Sequence, residues 1–383
     1  MQQIGQISIP RNTVIREIRA AIASGQYRPG EIIPSERALA ERFSVARKTA
    51  RAVLIELEKE GLLVCHPGSS RRVAQRRGSS RALMGRTVAF FSELFRLPPQ
   101  SSPGVGTDAQ IDMAARATIE QAGYHVLIVS RSALEHHSAG EIAADAPAAI
   151  AISSYVAEAK ESQVLVQVSK TAGIPLVVYG TAGRFGNFDR VIADHEDGAY
   201  QLTKLLLAEG RRRILPFWGT PNELSWLDLR LRGYQRAMTE AGLAPLPAVR
   251  THGLDGLEGT AEGFHAAVHS MAGYLVNALA GAEPVDAIMT VTDNDAIRTS
   301  AAVALFGKEP NKDVLVVGYD NKWSHLKERE FCPYLPFATV DKNNVEVGRA
   351  LGQLLLDRLG GKLPAEPQLR VVAGHIVKIP SNA

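Results

Sequence analysis

Cysteine is almost absent: the 383 residues hold two, Cys65 and Cys332, far apart in the chain. That excludes a disulfide framework and a Cys-rich zinc site, and it suits a reducing compartment. No apolar run approaches the roughly eighteen residues a membrane-crossing helix needs. The amino terminus also lacks the basic segment, apolar core and cleavage site of a secretory leader, so a cytoplasmic location is expected, with no membrane partner. Catalytic signatures are missing too. There is no nucleophile elbow, Walker loop or kinase motif set, and no lysine or serine has an evident activating partner, so neither catalysis nor a cofactor is expected. His265 and His269 stand four apart on an expected helix without an acidic or cysteine partner at helical spacing, and His195-Glu196-Asp197 makes no zinc motif; both read as non-metal.

What is present is ordinary globular composition, 45% hydrophobic and 22% charged, at a length that suggests two or three domains. The charge is unevenly placed. Residues 1–81 carry fifteen Lys and Arg against seven acidic residues, a balance of +8, and the remainder carries −5, within the total of +3. A basic head on an acidic body is the electrostatic footprint of a nucleic-acid module joined to a domain that does not touch the polyanion.

Within that head, Pro34 and Ser35 form a helix start, with Glu36 in the first turn where the positive helix end favours it. Ala38 and Leu39 fall on one face, a break follows at Phe43-Ser44-Val45, and Ala50, Val53, Leu54 and Leu57 resume helical spacing. This is a helix-turn-helix pattern. The second helix opens with Arg47, Lys48, Thr49 and Arg51, whereas Glu56, Glu58 and Glu60 come at its far end. Cations at a helix start oppose the dipole, an arrangement that a bound polyanion offsets; taken singly, each of these residues would suit a solvated charged face. Residues 13–24 read as a preceding helix, and residues 62–73 as a small hairpin turning at Pro67-Gly68-Ser69-Ser70.

The run Ile18, Gly25-Gln26-Tyr27-Arg28-Pro29-Gly30, Pro34-Ser35-Glu36-Arg37, Leu39-Ala40, Arg47-Lys48-Thr49, Arg51 and Leu57-Glu58-Lys59-Glu60-Gly61-Leu62 resembles the winged-helix DNA-binding domain of GntR-family repressors. The wing, usually Gly-Arg-Gly-Thr, here reads Gly68-Ser69-Ser70-Arg71. The resemblance implies Arg47, Lys48, Thr49 and Arg51 at the major groove of double-stranded operator DNA, with Arg37, Gly68, Ser69 and Arg71 at phosphate or the minor groove.

From Arg86 the pattern changes to short apolar strands alternating with amphipathic helices, the signature of parallel sheets wrapped by helices. Expected strands are residues 87–91, 125–129, 149–152, 176–179, 191–192, 213–217, 287–290 and 314–317; expected helices include 109–122, 158–170, 198–209 and 229–241. The class is α/β, with two doubly wound lobes. Gly104-Val105-Gly106-Thr107-Asp108-Ala109 has the glycines of a dinucleotide fingerprint, but a proline-rich stretch separates it from the strand ending at Phe91, so it reads as a loop.

Asp194, Asp197-Gly198-Ala199, Gly210-Arg211-Arg212-Arg213-Ile214, Arg230-Leu231-Arg232-Gly233-Tyr234, Asn294-Asp295, Gly318-Tyr319-Asp320-Asn321, Thr339-Val340-Asp341 and Gly348-Arg349-Ala350-Leu351 resemble the effector domain of LacI-type repressors, a fold shared with periplasmic sugar-binding proteins. The whole arrangement, head and body, is similar to arabinose-responsive repressors. It implies a winged head over residues 1–77, a linker over 78–85 and an effector domain over 86–383. Lobe 1 would take about 86–192 and 341–359, lobe 2 about 193–340 and 360–383, with crossings near Ile192, Val340 and Leu359. The cleft between the lobes would hold a small-molecule effector, a sugar by resemblance, and the helix at 109–122 would supply the homodimer face.

Arg230, Asn294 and Asp320 match the ligand contacts of that family. A guanidinium can donate twice to vicinal hydroxyls while a carboxylate accepts from others. The alternatives are an Arg230–Asp228 pair at a helix start and a turn capped by Asp320. Trp218, Trp226 and Trp323, all just past expected strand ends, add faces that stack on a pyranose or a purine; core packing is the competing reading for each. The expected function is a ligand-responsive transcriptional repressor. An enzyme fused to a regulatory head would need a lysine in a cofactor-binding context, and a chromatin protein would bind DNA without sequence preference.

Overall fold

The computed structural model describes residues 11–23, 26–28, 30–59, 62–65, 70–74, 83–93, 107–144, 146–219, 224–251 and 260–380. The chain divides into two compact units, Met1–Leu83 and Met84–Ala383. Most of the expected linker, 78–82, lies outside the described residues, as do residues 104–106 of the loop expected over 104–109; its last three residues, Thr107 to Ala109, instead open a helix.

In the first unit α1 (Arg11–Ala23), α2 (Glu36–Arg42) and α3 (Arg47–Lys59) precede a hairpin of β1 (Leu63–Val64) and β2 (Arg72–Val73). The Ser35 hydroxyl accepts from the Ala38 amide at 3.3 Å and so starts α2. Ser44 takes φ +51° in the turn, and the Val45 amide returns to the Ala40 carbonyl at 3.0 Å. Ala50, Val53, Leu54 and Leu57 of α3 are then buried with Val14, Ile15 and Ile18 of α1 and Leu39 of α2. Each such large side chain contributes about 1.5–3 kcal/mol on burial, enough in sum to hold a small three-helix head. The hairpin is stitched to the segment before α2 as well, since Val73 donates to Glu31 at 2.8 Å and Ile33 to Arg71 at 3.0 Å.

The second unit has twelve strands among the described residues, in two sheets. In chain order they are β3 (Thr87–Phe91), β4 (His125–Val129), β5 (Ala149–Ile152), β6 (Leu176–Tyr179), β7 (Asp189–Ala193), β8 (Ile214–Trp218), β9 (Val249–Arg250), β10 (Ala287–Thr290), β11 (Leu315–Tyr319), β12 (Ala338–Asp341), β13 (Leu369–Val372) and β14 (His375–Lys378). The longer helices are α4 (Thr107–Gln121), α5 (Gln163–Ala172), α6 (His195–Ala208), α7 (Ser225–Glu240), α8 (Ala261–Ala280), α9 (Asp293–Leu305) and α10 (Asn344–Leu359). Lobe 1 is a parallel sheet in the order β13-β7-β6-β5-β3-β4. Lobe 2 has the order β14-β12-β11-β10-β8-β9, antiparallel only at β14. The central strands β3, β5, β6, β10 and β11 are buried along their whole length, as a sheet covered on both faces requires. Helices α4 and α10 cover one face of lobe 1 and α5 the other; α6 and α7 cover one face of lobe 2, α8 and α9 the other.

The chain crosses between lobes three times, after β7, after β12 and between β13 and β14. The last crossing falls at Ala373-Gly374 and not near Leu359. After α10 the chain stays in lobe 1, because β13 pairs with β7 from Leu369 opposite Arg190 to Val372 opposite Ala193. Arg358 fixes the return: its guanidinium donates to both carboxylate oxygens of Asp189, at 2.6 and 2.7 Å, and the Gln368 amide donates to the same carboxylate at 2.7 Å. Among the described residues no helix is long and apolar enough to cross a membrane.

Candidate functional site

At the start of α3, Arg47 and Arg51 have side chains 75% and 68% exposed, and Arg37 on α2 is 81% exposed. Lys48 is exposed beside them and Thr49 half-buried. Arg71 differs. Its Nε donates to Glu58 at 2.6 Å and its Nη1 to Glu36 at 3.1 Å, with only 21% of the side chain exposed. Arg71 thus ties the wing to α2 and α3, a contact the spacing did not reveal, while Glu36 also lies 3.9 Å from Arg47 and from Arg51. Gly68 and Ser69 lie outside the described residues.

In the second unit a cavity of about 600 Å³ opens between the lobes, within the size range of small-molecule sites. It lies at the carboxyl ends of the parallel strands, where such sheets bind ligands. From lobe 1 come Arg131 after β4, Tyr155 and Glu158 after β5, Tyr179 to Thr181 at the end of β6, and Ala193 of β7. From lobe 2 come His195, Trp226, Arg230, Val291, Asp320 and Lys322, and Lys342 sits at the second crossing. The lobes touch at the mouth: Ser225 Oγ donates to Glu158 at 3.1 Å and so accepts from Thr181, 2.6 Å away.

Arg230 is the buried centre, 2% exposed. Its Nη1 donates to the Val291 carbonyl at 2.7 Å and its Nε to His195 Nδ1 at 3.4 Å. The guanidinium lies 3.3 Å from the Tyr319 ring centre and 4.5 Å from that of Trp226, which itself stacks on His195. Burial pushes His195 well below its ordinary value, helped by the charges of Arg230 and Lys342, so a neutral imidazole accepts from Arg230. Burial also raises Tyr319 to about 12. Burial would raise Asp320, but Lys342 at 2.9 Å, then Lys322 and Arg230, hold it below its ordinary value as a carboxylate. Asp293, behind Lys322, is raised to about 7 by burial, although it accepts from the Lys322 and Trp323 amides at 2.7 and 3.0 Å.

Of the six residues expected at the cleft, the structure brings Arg230, Asp320 and Trp226 together. Asp228, the alternative partner for Arg230, faces Arg250 at 3.8 Å instead. The other three are elsewhere. Trp218 ends β8 with its ring packed on Leu227 and Val291, 1% exposed. Asn294 donates to Glu328 at 2.9 Å, a carboxylate it shares with Arg298. Trp323 opens a short 3-10 turn, and Arg329 lies 5.4 Å from its ring. Arg131, Tyr155, His195 and Lys342 were not singled out as ligand residues; Arg131 and Lys342 stand just past strands, the same signal that drew attention to the tryptophans.

Fold and site together define a class. Residues 10–73 match the family model for bacterial regulatory proteins of the gntR family, and residues 203–378 that of the periplasmic binding protein-like domain. The chain therefore joins a GntR-type helix-turn-helix domain to a periplasmic-binding-protein-like domain. Among particular proteins it is similar to the arabinose metabolism transcriptional repressor of Geobacillus stearothermophilus, 28% identical over 229 residues that cover 58% of this chain and 59% of that one. It is likewise similar to the transcriptional regulator CelR of Thermobifida fusca, 25% identical over 276 residues, 70% of this chain and 74% of the relative. The solved CelR–cellobiose complex superposes with a TM-score of 0.58 at 20% identity, covering 90% of this chain and 98% of that chain, a likeness of fold. The match thus spans under two thirds of the arabinose repressor's length.

Proposed function

We propose that the chain is a transcriptional repressor whose hold on double-stranded operator DNA is modulated by a sugar-type small molecule in the interlobe cleft. The observation that carries this is the pairing in one polypeptide of two things: a winged helix-turn-helix whose exposed α3 start presents Arg47, Lys48 and Arg51, and a two-lobed cavity centred on a buried arginine. Arg47, Lys48, Thr49 and Arg51 read the major groove; Arg37, Gly68 and Ser69 hold phosphate or the minor groove. Arg71 serves the interface by positioning the wing. In the cleft Arg230 and Asp320 supply donors and an acceptor for hydroxyls, and Trp226 supplies a stacking face.

The functional species is a homodimer, so that two heads meet two half-sites of a palindrome. Its face includes α4, whose Ile111, Ala115 and Ile119 turn inward while Met113 is 55% exposed. The relatives above are transcriptional regulators, which favours regulation over catalysis, and a cytoplasmic location follows from access to DNA. Selection of duplexes from a random pool tests the reading. Recovery of a palindromic site, released or tightened by a cleft ligand, supports it, and equal binding to all duplexes contradicts it.

A further inference from the structure

Charge around the cleft narrows the chemistry of the effector. Four cationic side chains line the cavity, Arg131, Arg230, Lys322 and Lys342, against two carboxylates, Asp320 and Glu158. That is a surplus of positive charge. Lys342 and Asp320 pair at 2.9 Å, and Glu158, which accepts from the neutral Ser225 hydroxyl at 3.1 Å, keeps its charge. Arg230 is buried, yet its hydrogen bonds go to a carbonyl and a neutral imidazole and not to a carboxylate. Neither Arg131 nor Lys322 has a carboxylate within ion-pair distance of its charged group among the described residues, although Lys322 lends charge to Asp320 and Asp295; Arg131 Nε is buried without an acceptor among them. The guanidinium of Arg131 lies 5.7 Å from the centre of the Tyr155 ring, while the Arg131 backbone amide donates to Glu93 at 2.8 Å.

A buried cation without a counterion costs free energy that an arriving anion recovers. A neutral sugar would satisfy donors but leave that charge in place. These two cations also come from opposite lobes, Arg131 from the loop after β4 and Lys322 from the loop after β11. An anion held by both is an electrostatic bridge that favours the closed cleft.

Resting on the reading of the cavity as an effector site, we propose that its ligand is an anionic sugar, one bearing a carboxylate or a phosphate, with Arg131 and Lys322 holding the charged group. Arg230 and Trp226 take the sugar body. Specificity for charge is then separable from recognition of the ring.

The test uses the full chain and a panel of hexoses and pentoses, each offered as neutral sugar, sugar acid and phosphate ester, with inorganic phosphate as a ring-free probe. Binding is followed by calorimetry and melting temperature. Expected is a preference of roughly tenfold or more for an anionic form over its neutral parent, weakening as salt rises. The acid and ester arms tell carboxylate from phosphate. In Arg131→Gln and Lys322→Gln, each checked for an unchanged unliganded melt, that preference should vanish while the weak binding of the neutral sugar remains. A neutral sugar that binds as tightly as its anionic forms overturns this inference and leaves the effector site standing. Failure of every arm to bind overturns both.

Discussion

At the residue scale, Arg230 and Arg47 carry the two halves of the account. Arg47→Ala should cost roughly 1–3 kcal/mol in operator binding, read by gel shift, with effector affinity untouched; an unchanged titration would remove Arg47 from the interface. Arg230→Ala should abolish the effector response while the chain still binds DNA, and a full response would take Arg230 out of the site. Asp293 gives a pH signature. Its folded pKa of about 7 is raised above the ordinary 3.8. The folded state therefore holds this proton more tightly than the unfolded chain, and stability present at acid pH is lost as pH climbs toward 7. His195, depressed in the folded state, works in the opposite sense below its ordinary 6.5, so the comparison with Asp293→Asn is what isolates the acid. That variant should be more stable than the parent at pH 8, by up to ~4 kcal/mol, and little changed at pH 4. Equal effects at both pH values in denaturant melts would contradict it. Arg230 and Asp320 were expected at the cleft through the family resemblance and Trp226 through its place past a strand, and all three line it. Trp218 obeyed the same rule yet faces the core. Past a strand end a side chain has two faces to choose from, and neighbours such as Leu227 and Val291, distant in sequence, decide.

Among elements, the helix pairs show why some glycines are fixed and others free. Where α10 crosses α4, a Cβ on Gly348 would overlap the Ile111 carbonyl oxygen, and one on Gly352 would press on Thr118. Gly273, on α8, has open space where its Cβ would be. The same substitution should therefore act with opposite signs. Gly348→Ala should destabilise by about 1–3 kcal/mol through overpacking, and Gly273→Ala should stabilise by about 0.5–1 kcal/mol through the lower helix cost of alanine. Urea melts of the two variants decide, and a stabilised Gly348→Ala would refute the close crossing. The helix-turn-helix was legible from a serine cap, a break at Phe43-Ser44-Val45 and helical spacing, all local. The strands from β3 to β8 were legible as apolar runs. By contrast β13, Leu369-Arg370-Val371-Val372, is short, mixed and half-exposed. Its place beside β7 depends on the ion pair of Arg358 with Asp189, 169 residues apart, and so the third crossing was expected too early.

For the whole molecule, the claim is that a DNA-reading head and a ligand-holding body act on one another. The charge asymmetry, +8 through residue 81 and −5 beyond it, pointed to that division, but no local pattern could show that cations outnumber carboxylates around the cleft, because the fold decides which side chains line it. Coupling requires only that the ligand favour one lobe arrangement and that the two arrangements hold DNA differently. Linkage makes the effect reciprocal, typically 5–150-fold in affinity. The most direct measurement is therefore a titration of the full chain with its selected duplex, with and without a saturating cleft ligand, alongside a titration of the ligand with and without duplex. The account predicts that both affinities shift by the same factor, well above unity. Duplex and ligand that each bind yet leave the other's affinity unchanged would contradict it.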